Sequence, residues 1–456
     1  MRCVWACVAV LIVNLVPEIT DGLSLPAPPT SRTCIIGAGY SGLAAARYLK
    51  DYDLSFVVFE ATKHVGGTWH YDPHVGFDEE GLPVYTSMYK YLRTNTPIQT
   101  MEYTGFPFPD GTPSYPTATC FHKYLKLFAK SFDLVKRIQF KTFVTSVEWA
   151  AGRWIVSYTK LDSKENATES CDYVIVANGE FLNPYVPKFQ GLDLFKGSII
   201  HSHYYREPEK YQGRRVLIVG AGPSGLDLAM HLSNFTKKLV HSHHLKYNQP
   251  NFGPNYKKKP DIITFTSDGV VFEDNSFEEL DNVILCTGYE FDHPFLDKSC
   301  GITKSGKYVL PLYQHVVNIM HPSMMFIGVS KKVINRVFDA QAQYVAALIA
   351  KKFELPSQEE MLKKWVQHAQ SLPTKRMKLV DINVIGDQQD QYFGNLTKEA
   401  SIPRVPPVLT EIRDFNAKIR LEDLLNYRDY DYKLLNDYKY ERWYNYREDD
   451  PCPIEI

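Results

Sequence analysis

The stretch TCIIGAGYSGLAAARYLKDYDLSFVVFE, residues 33–60, carries the pattern that decides the fold. An apolar strand runs into a Gly-x-Gly-x-x-Gly turn at Gly37, Gly39 and Gly42, and small and apolar residues then recur at helical spacing. A second strand ends at Glu60, about 20 residues past the first glycine, where a Rossmann unit places the acid that binds a ribose diol. The glycines let the backbone approach a pyrophosphate, and the helix start offers it unpaired N–H groups. This stretch therefore predicts a dinucleotide-binding βαβ unit.

A second copy of the glycine pattern follows another apolar strand in the middle of the chain and precedes another helical stretch. At the strand end where the first copy has its acid, the second copy has Ser242. The repeated context argues against two incidental glycine turns and predicts two dinucleotide sites. The glycines of the second copy are Gly220, Gly222 and Gly225.

The two predicted sites differ in charge. The first ends on a carboxylate, which accepts hydrogen bonds from a free ribose diol, so we assign it to FAD. No Asp or Glu occurs between Asp227 and Asp261, whereas Lys and His residues cluster there, and such a surface favours a 2′-phosphate. We therefore assign the second site to NADPH, with Ser242, His244 and Lys246 as phosphate ligands. The alternative is a solvated basic loop without nucleotide preference, since the same segment has no Arg to hold a phosphate in two hydrogen bonds.

The composition is that of a large globular protein. The chain has 456 residues, 44% of them hydrophobic and 23% charged, so two domains are expected. Its formal net charge of −1 gives no reason to expect a nucleic-acid partner. No apolar run after residue 22 reaches the length that crosses a membrane, and we expect no bound metal.

The first 22 residues have the pattern of a secretory signal peptide. Arg2 precedes an apolar stretch, residues 4–16, and the small residues Thr20 and Gly22 fit the −3 and −1 positions of a cleavage site. We therefore predict cleavage near Gly22 and secretion to the extracellular space. Export would open three sequons to N-glycosylation, at Asn166, Asn234 and Asn395.

Cysteine usage leaves the disulfide pattern open. Eight Cys occur, and two of them lie in the predicted signal peptide. Cys34 and Cys286 lie in apolar strands, where a buried free thiol is expected. The sequence does not determine the pairing among the others, Cys120, Cys171, Cys300 and Cys452.

The segment between the two glycine patterns narrows the chemistry. Its spacing Phe-x-Gly-x-x-x-His-x-x-x-Tyr, from Phe195 through His201 to Tyr205, resembles the identifying sequence of the flavin-containing monooxygenases. The resemblance covers residues 32 to about 350. Three further segments resemble landmarks of that family: Gly66-Gly67-Thr68-Trp69, Thr94-Asn95-Thr96-Pro97 and Leu285-Cys286-Thr287-Gly288-Tyr289.

The resemblance implies an α/β fold with two Rossmann-like dinucleotide-binding domains, the NADPH domain being inserted into the FAD domain. After the signal peptide, residues 1–22, the FAD domain would occupy residues 23–206 and 319–456 around an NADPH domain at 207–318. The tail beyond Pro403 is expected to pack on the surface without chemistry of its own.

The resemblance also implies the reactants FAD, NADPH and O₂ and the site residues. Oxygen would add to the reduced flavin as a C4a-hydroperoxyflavin, whose distal oxygen a soft nucleophile takes. Asn95 is the expected catalytic residue and would hydrogen-bond near the flavin; the alternative is an Asx-turn before Pro97. His201 is expected to link the domains rather than to act as a base. The other residues that the resemblance assigns to the cofactors are Gly67, Thr68, Trp69 and Gln341.

The substrate is implied by resemblance alone. The chain resembles the secreted insect members of the family most, which implies N-oxygenation of a tertiary amine alkaloid of the pyrrolizidine type in a detoxification reaction. A thioether S-oxygenase is the alternative, and a Baeyer–Villiger oxygenase would be expected to carry Trp in place of Tyr205. The non-enzymatic alternative is a secreted ligand carrier. A homo-oligomer is compatible with the sequence.

Overall fold

The computed structural model describes residues 31–456. The predicted signal peptide lies outside the described residues. Two largely parallel sheets form the centre of the described part, and each contains one of the glycine patterns.

The first sheet has seven strands and contains the first glycine pattern. Residues 33–36 and 56–59 are buried on both faces of the sheet, which explains why these strands are continuously apolar instead of alternating. In spatial order the strands are Leu312–Tyr313 (β20), Val317–Asn318 (β21), Met324–Phe326 (β22), Tyr173–Val176 (β7), Arg32–Ile36 (β1), Ser55–Phe59 (β2) and Ile138–Gln139 (β3).

The second sheet has five strands, all paired in parallel, and contains the second glycine pattern. Its central strand ends at the turn and is buried from residue 216 to residue 219. In spatial order the strands are Tyr256–Lys259 (β12), Lys238–Ser242 (β11), Arg215–Val219 (β10), Asn282–Leu285 (β16) and Ser198–His201 (β9).

The other strands of the described residues form five small antiparallel sheets. Three of them have two strands: Asn183–Pro184 (β8) with Tyr289–Glu290 (β17), Thr303–Ser305 (β18) with Tyr308–Leu310 (β19), and Tyr430–Asn436 (β23) with Lys439–Tyr444 (β24). Two of them have three strands: Thr142–Ala150 (β4), Arg153–Lys160 (β5) and Glu165–Cys171 (β6), and Ile262–Phe265 (β13), Gly269–Phe272 (β14) and Phe277–Glu279 (β15).

Helices cover the faces of the two sheets. The helix behind the first glycine turn buries three consecutive alanines, residues 44–46, and these small side chains let it pack closely on the long helix that follows β22. No helix of residues 31–456 combines the length and the apolar character needed to cross a membrane. The α-helices are Tyr40–Asp51 (α1), Ala118–Ser131 (α2), Pro223–Ser233 (α3), Asn335–Ile349 (α4), Gln358–Ser371 (α5), Gln389–Ala400 (α6) and Val408–Glu422 (α7).

The strand order confirms the two Rossmann-like units and the insertion of one into the other. β7 and β22 are neighbours in the first sheet, although the whole second sheet lies between them in sequence. The predicted boundaries differ from the observed sheets at both ends. β9 lies before residue 207 but pairs with β16 in the second sheet, and β20 and β21 lie before residue 319 but belong to the first sheet. β9 and β20 are edge strands, and β21 lies beside β20. The sheet that such a strand joins is decided by hydrogen bonds between segments and not by local pattern.

The cysteines form two disulfides within the described residues. Cys34 pairs with Cys171 and Cys120 with Cys452, with Cα–Cα distances of 6.0 and 5.5 Å. The expectation of a free thiol at Cys34 is wrong, because β6 ends beside β1 and brings Cys171 within bonding distance. Cys286 is a buried free thiol, as expected, and its burial raises the pKa of the thiol to about 12.

Candidate functional site

The first glycine turn leaves no room for side chains at its two ends. Gly37 has a φ of +102°, and a Cβ there would lie 2.5 Å from the carbonyl oxygen of Ala177. A Cβ on Gly42 would overlap the carbonyl oxygen of Gly37. Helix α1 therefore begins directly behind the strand, and its unpaired N–H groups lie at the carboxyl edge of the sheet, where a pyrophosphate binds in Rossmann units.

Glu60 follows β2 and lies beside this turn. Its carboxylate accepts hydrogen bonds from the N–H of Ala38 at 2.8 Å and from the N–H and the hydroxyl of Thr62 at 2.9 and 2.8 Å. Burial raises the pKa of Glu60, while the hydrogen bonds from Thr62 and Ala38 lower it. The carboxylate is thus held next to the glycine turn, where the ribose of a dinucleotide would lie.

The short 3₁₀ helix Gly67–Trp69 lies against the same turn. A Cβ on Gly39 would be 3.7 Å from the Cα of Gly67, so the two glycines lie side by side. The carbonyl of Thr68 accepts a hydrogen bond from the hydroxyl of Thr86 at 2.7 Å, and the Trp69 ring packs on Phe121 with centroids 4.2 Å apart. The structure therefore brings this helix, the first glycine turn and Glu60 into one region.

The second glycine turn repeats this geometry. Gly220 has a φ of +100°, with the carbonyl oxygen of Cys286 only 2.6 Å from a Cβ placed there, and a Cβ on Gly225 would overlap the carbonyl oxygen of Gly220. At Gly222, in contrast, apart from its neighbours in the chain, no atom of the described residues lies within 4 Å of the corresponding Cβ position. The middle glycine therefore faces open space in front of α3, as a turn that receives a pyrophosphate requires.

The predicted phosphate ligands are only partly at the surface. Ser242 is buried at the end of β11, and its hydroxyl donates to the carbonyl of Pro260 at 2.7 Å. His244 and Lys246 are exposed. Nδ1 of His244 lies 3.0 Å from the carboxylate of Asp261, because β12 pairs with β11 and returns the chain to the same edge. The sequence gap without acids is thus not an acid-free region in space, and the Ser242 hydroxyl is engaged by the protein.

Asn95 lies in an irregular turn before the short helix Ile98–Thr100 and is half-buried. An Asx-turn would need a hydrogen bond from its side chain to a backbone N–H. Among residues 31–456 no such bond is present, and the N–H of Ile98 instead donates to the carbonyl of Ser114 at 2.8 Å. The main chain of Asn95 is held, since its carbonyl accepts a hydrogen bond from Asn416 at 2.9 Å. The side-chain amide has no hydrogen-bond partner among the described residues, and its role toward a ligand stays a prediction.

His201 ends β9 and so belongs to the second sheet. It is buried, and Nδ1 of its ring accepts a hydrogen bond from the N–H of His203 at 3.1 Å. Burial is the main cause that lowers the pKa of His201 to about 4, so the ring is neutral at physiological pH. The ring also packs edge-on against Tyr289, which pairs with β8 outside the second sheet. This placement fits a residue that links segments of the fold.

Gln341 is fully buried. It is in the middle of α4 with no exposed area, and its Nε2 donates to the hydroxyls of Ser330 and Tyr392, each at 2.9 Å. Its Oε1 is buried and has no hydrogen-bond partner within residues 31–456. The cofactor contact of Gln341 stays a prediction.

Sequence reasoning missed a buried polar cluster between the two glycine turns. Asp227, in the first turns of α3, accepts hydrogen bonds from the hydroxyl of Tyr89 and from the guanidinium of Arg428. Arg428 lies in the tail that was expected to have no chemistry of its own, and the carbonyl of Thr94 accepts from its Nε at 2.9 Å. No local pattern predicts this cluster, since Arg428 and Thr94, for example, are 334 residues apart.

The fold and the two nucleotide turns define the class of protein. The model of the flavin-binding monooxygenase-like family matches residues 30–245 and 253–421, and the chain belongs to this family. It is a flavin monooxygenase that uses FAD, NADPH and O₂. The residues present fit the two nucleotides, because the carboxylate of Glu60 lies at the first turn and the open space at Gly222 lies at the second.

Individual relatives extend this likeness over nearly the whole chain. Senecionine N-oxygenase from Tyria jacobaeae is 48% identical over 454 residues, which are 98% of this chain and 99% of the relative. Trimethylamine monooxygenase from Methylocella silvestris is 29% identical and covers 88% of this chain and 92% of that protein. The solved structure of S-allyl-L-cysteine S-oxygenase from Allium sativum has a TM-score of 0.82 at 27% identity and covers 88% of this chain and 95% of that chain.

Proposed function

We propose that the protein N-oxygenates tertiary amine alkaloids of the pyrrolizidine type, such as senecionine, in a detoxification reaction. The observation that carries this proposal is the 48% identity to senecionine N-oxygenase across 98% of the chain. Bound FAD, reduced by NADPH, would supply the oxygenating chemistry as a C4a-hydroperoxyflavin, and the protein would supply binding, orientation and exclusion of water.

The described residues divide these tasks. The backbone around Gly39 and Gly222 receives the two pyrophosphates, and the carboxylate of Glu60 accepts the ribose diol. The unpartnered amide of Asn95 donates toward the flavin and the nicotinamide. His244 and Lys246 are the exposed basic residues after β11 that would meet the 2′-phosphate.

A neutral tertiary amine needs no acid or base from the protein, because its lone pair attacks an electrophilic oxygen directly. His201 is not needed as a base in this scheme, and burial is the main cause that lowers its pKa to about 4.

We further propose that the protein is secreted after cleavage near Gly22. Support comes from the two disulfides, which form and persist in oxidising compartments. Two of the three sequons present exposed asparagines, Asn166 and Asn395, and Oδ1 of Asn166 accepts a hydrogen bond from the hydroxyl of Thr159 at 2.7 Å. At the third, Asn234 is exposed, but the hydroxyl of its sequon threonine, Thr236, is buried and donates to the carbonyl of Leu232. We expect glycans at Asn166 and Asn395 before Asn234.

S-oxygenation is the second candidate, because S-allyl-L-cysteine S-oxygenase from Allium sativum shares the fold at a TM-score of 0.82. A thioether sulfur is also a soft nucleophile, so the same site chemistry would serve it. The two candidate functions differ in which substrate the protein binds.

The test supplies the purified, FAD-loaded protein with NADPH and O₂ and a matched panel of substrates. A pyrrolizidine alkaloid, a simple tertiary amine and two thioethers would be compared, with products identified by mass spectrometry and NADPH consumption measured in parallel. We expect the N-oxide of the alkaloid in amounts close to the NADPH consumed. Sulfoxides without N-oxide would favour the second candidate, and peroxide without any oxygenated product would contradict both.

A further inference from the structure

The guanidinium of Arg428 makes three contacts, two with backbone carbonyls and one with a carboxylate. Its Nε donates to the carbonyl of Thr94 at 2.9 Å, and its Nη2 donates to the carbonyl of Arg93 at 3.2 Å. Its Nη1 pairs with the carboxylate of Asp227 at 2.5 Å. Arg428 therefore joins the turn that carries Asn95 to the helix that starts at the second glycine turn.

The partner on that helix is a buried anion. Asp227 lies two residues after Gly225 and is 5% exposed. Burial would raise the pKa of Asp227, but the charge of Arg428 and the hydrogen bonds to the carboxylate outweigh burial, and the pKa is lowered. The second carboxylate oxygen accepts a hydrogen bond from the hydroxyl of Tyr89. Asp227 is thus ionised and fully partnered, which makes it a fixed point for Arg428.

A second contact from the C-terminal segment secures the same turn. Nδ2 of Asn416, in α7, donates to the carbonyl of Asn95 at 2.9 Å, and the hydroxyl of Tyr115 donates to Oδ1 of Asn416 at 2.7 Å. Three consecutive carbonyls, those of residues 93–95, therefore accept hydrogen bonds from residues beyond Pro403.

We propose that Arg428 is a positioning residue for the oxygenation reaction. It holds the main chain at residues 93–94 against α3 and thereby sets the position of the Asn95 amide relative to the bound NADP⁺. This inference rests on the proposed function of Asn95. The planar fork of Arg is needed because Lys can pair with one carboxylate but cannot reach the carboxylate and two carbonyls together.

The test compares the wild type with Arg428→Lys, Arg428→Ala and the control Arg404→Ala, all as FAD-loaded, disulfide-intact proteins. Arg404 is a matched control because it also pairs with a carboxylate, Asp390, but both side chains are half-exposed. The measurements are the melting temperature, the hydrogen exchange of the amides of residues 94–96 with NADP⁺ bound, and the peroxide released per NADPH consumed.

We expect Arg428→Lys to restore much of the melting temperature lost in Arg428→Ala, because the charge of Asp227 is again paired. In both variants exchange at residues 94–96 should be faster and peroxide release should rise roughly tenfold, since a small misplacement of an orienting group has large effects on rate. Arg404→Ala should match the wild type. If the peroxide released per NADPH in Arg428→Lys returns toward the wild-type value together with the melting temperature, the positioning role is wrong. It is also wrong if hydrogen exchange at residues 94–96 is unchanged in both variants.

Failure of the proposed function would look different. A wild type that turns all NADPH into peroxide with every amine and thioether tested contradicts the proposed function by itself. Hydrogen exchange at residues 94–96 then decides on the positioning role: faster exchange in Arg428→Lys than in Arg404→Ala supports it, and equal exchange overturns it. If Arg428→Ala does not fold, Arg428→Lys carries the test.

Discussion

Asn95 has a main chain held by the protein and a side chain that is not. Its carbonyl is bonded to Asn416, while its amide has no hydrogen-bond partner among the described residues. The amide is partly exposed, so either water or a bound ligand can complete its hydrogen bonds. The arrangement is compatible with the predicted contact to the flavin and the nicotinamide, which the following experiment tests.

Replacement of Asn95 by Ala should separate flavin reduction from oxygenation. FAD binding and reduction by NADPH should persist, because both depend on the glycine turns. Oxygenated product should fall well below the NADPH consumed, with peroxide making up the difference, since loss of one well-placed hydrogen bond commonly costs on the order of 3 kcal/mol. The measurement is peroxide per NADPH, with Asn436→Ala in the outer β23–β24 hairpin as control. Unchanged coupling in Asn95→Ala would leave Asn95 without a catalytic role.

Asp261 offers a test of how the second site recognises its nucleotide. Its carboxylate lies beside His244 and would repel a 2′-phosphate held there. Asp261→Asn should lower the KM for NADPH, and His244→Ala should raise the KM for NADPH. Neither substitution should change the KM for NADH. Because the pair is exposed, we expect effects of about 0.2–1 kcal/mol, or changes in KM of roughly 1.4- to fivefold. Asp274→Asn, which removes an exposed partner of Lys259, serves as control. Equal shifts for both nucleotides would place the phosphate elsewhere.

The glycine turns are the elements that the sequence predicted best. Each needs a strand, three glycines and a helix start within a few residues, so the whole signal is local. Elements whose partners are distant could not be predicted in the same way. β9 and β20 were assigned to the wrong sheet, and Cys34 was expected to be free, because hydrogen-bond register and disulfide pairing depend on how separate segments meet.

The site shows the same division between local and long-range information. Glu60 was found from its distance to the first glycine, and it does lie beside that turn. Arg428 was missed, because its contact with Asp227 spans 201 residues and nothing in the surrounding sequence marks it. The contact of Asp261 with His244 was missed for a related reason. Because β12 pairs with β11, Asp261 after β12 lies next to His244 after β11.

The second glycine turn supports a prediction with a built-in control. Gly225→Ala should impair folding, because its Cβ would overlap the carbonyl oxygen of Gly220. Gly222→Ala should fold like the wild type, because its Cβ meets no atom of the described residues within 4 Å. The added methyl instead occupies the space for the pyrophosphate, so the KM for NADPH should rise at least about tenfold while FAD content stays constant. Normal NADPH affinity in Gly222→Ala would move the nucleotide away from this turn.

At the scale of the whole molecule, the C-terminal segment ties the two nucleotide units together. It contributes α7 with Asn416, then Arg428, then the β23–β24 hairpin, and it ends at the disulfide between Cys452 and Cys120. Cys120, the other cysteine of this disulfide, lies in the first turn of α2, whose N-cap is Thr117. The C-terminal segment therefore contacts the Asn95 turn through Asn416 and Arg428, and it is then bonded covalently to α2.

Removal of this fastening should lower stability without dismantling the site. In the Cys120→Ser/Cys452→Ser variant we expect a loss of about 2–4 kcal/mol in the free energy of unfolding, because a cross-link between residues 332 apart restricts the unfolded chain. Arg428 and Asp227 are buried and mutually satisfied, so their contact should survive and coupling should change little. Urea unfolding monitored by flavin fluorescence measures the first effect, and peroxide per NADPH measures the second. A variant with the wild-type urea midpoint would show that the disulfide does not hold the tail, whereas strong uncoupling with little loss of stability would show that the cross-link, and not Arg428, orders the Asn95 turn.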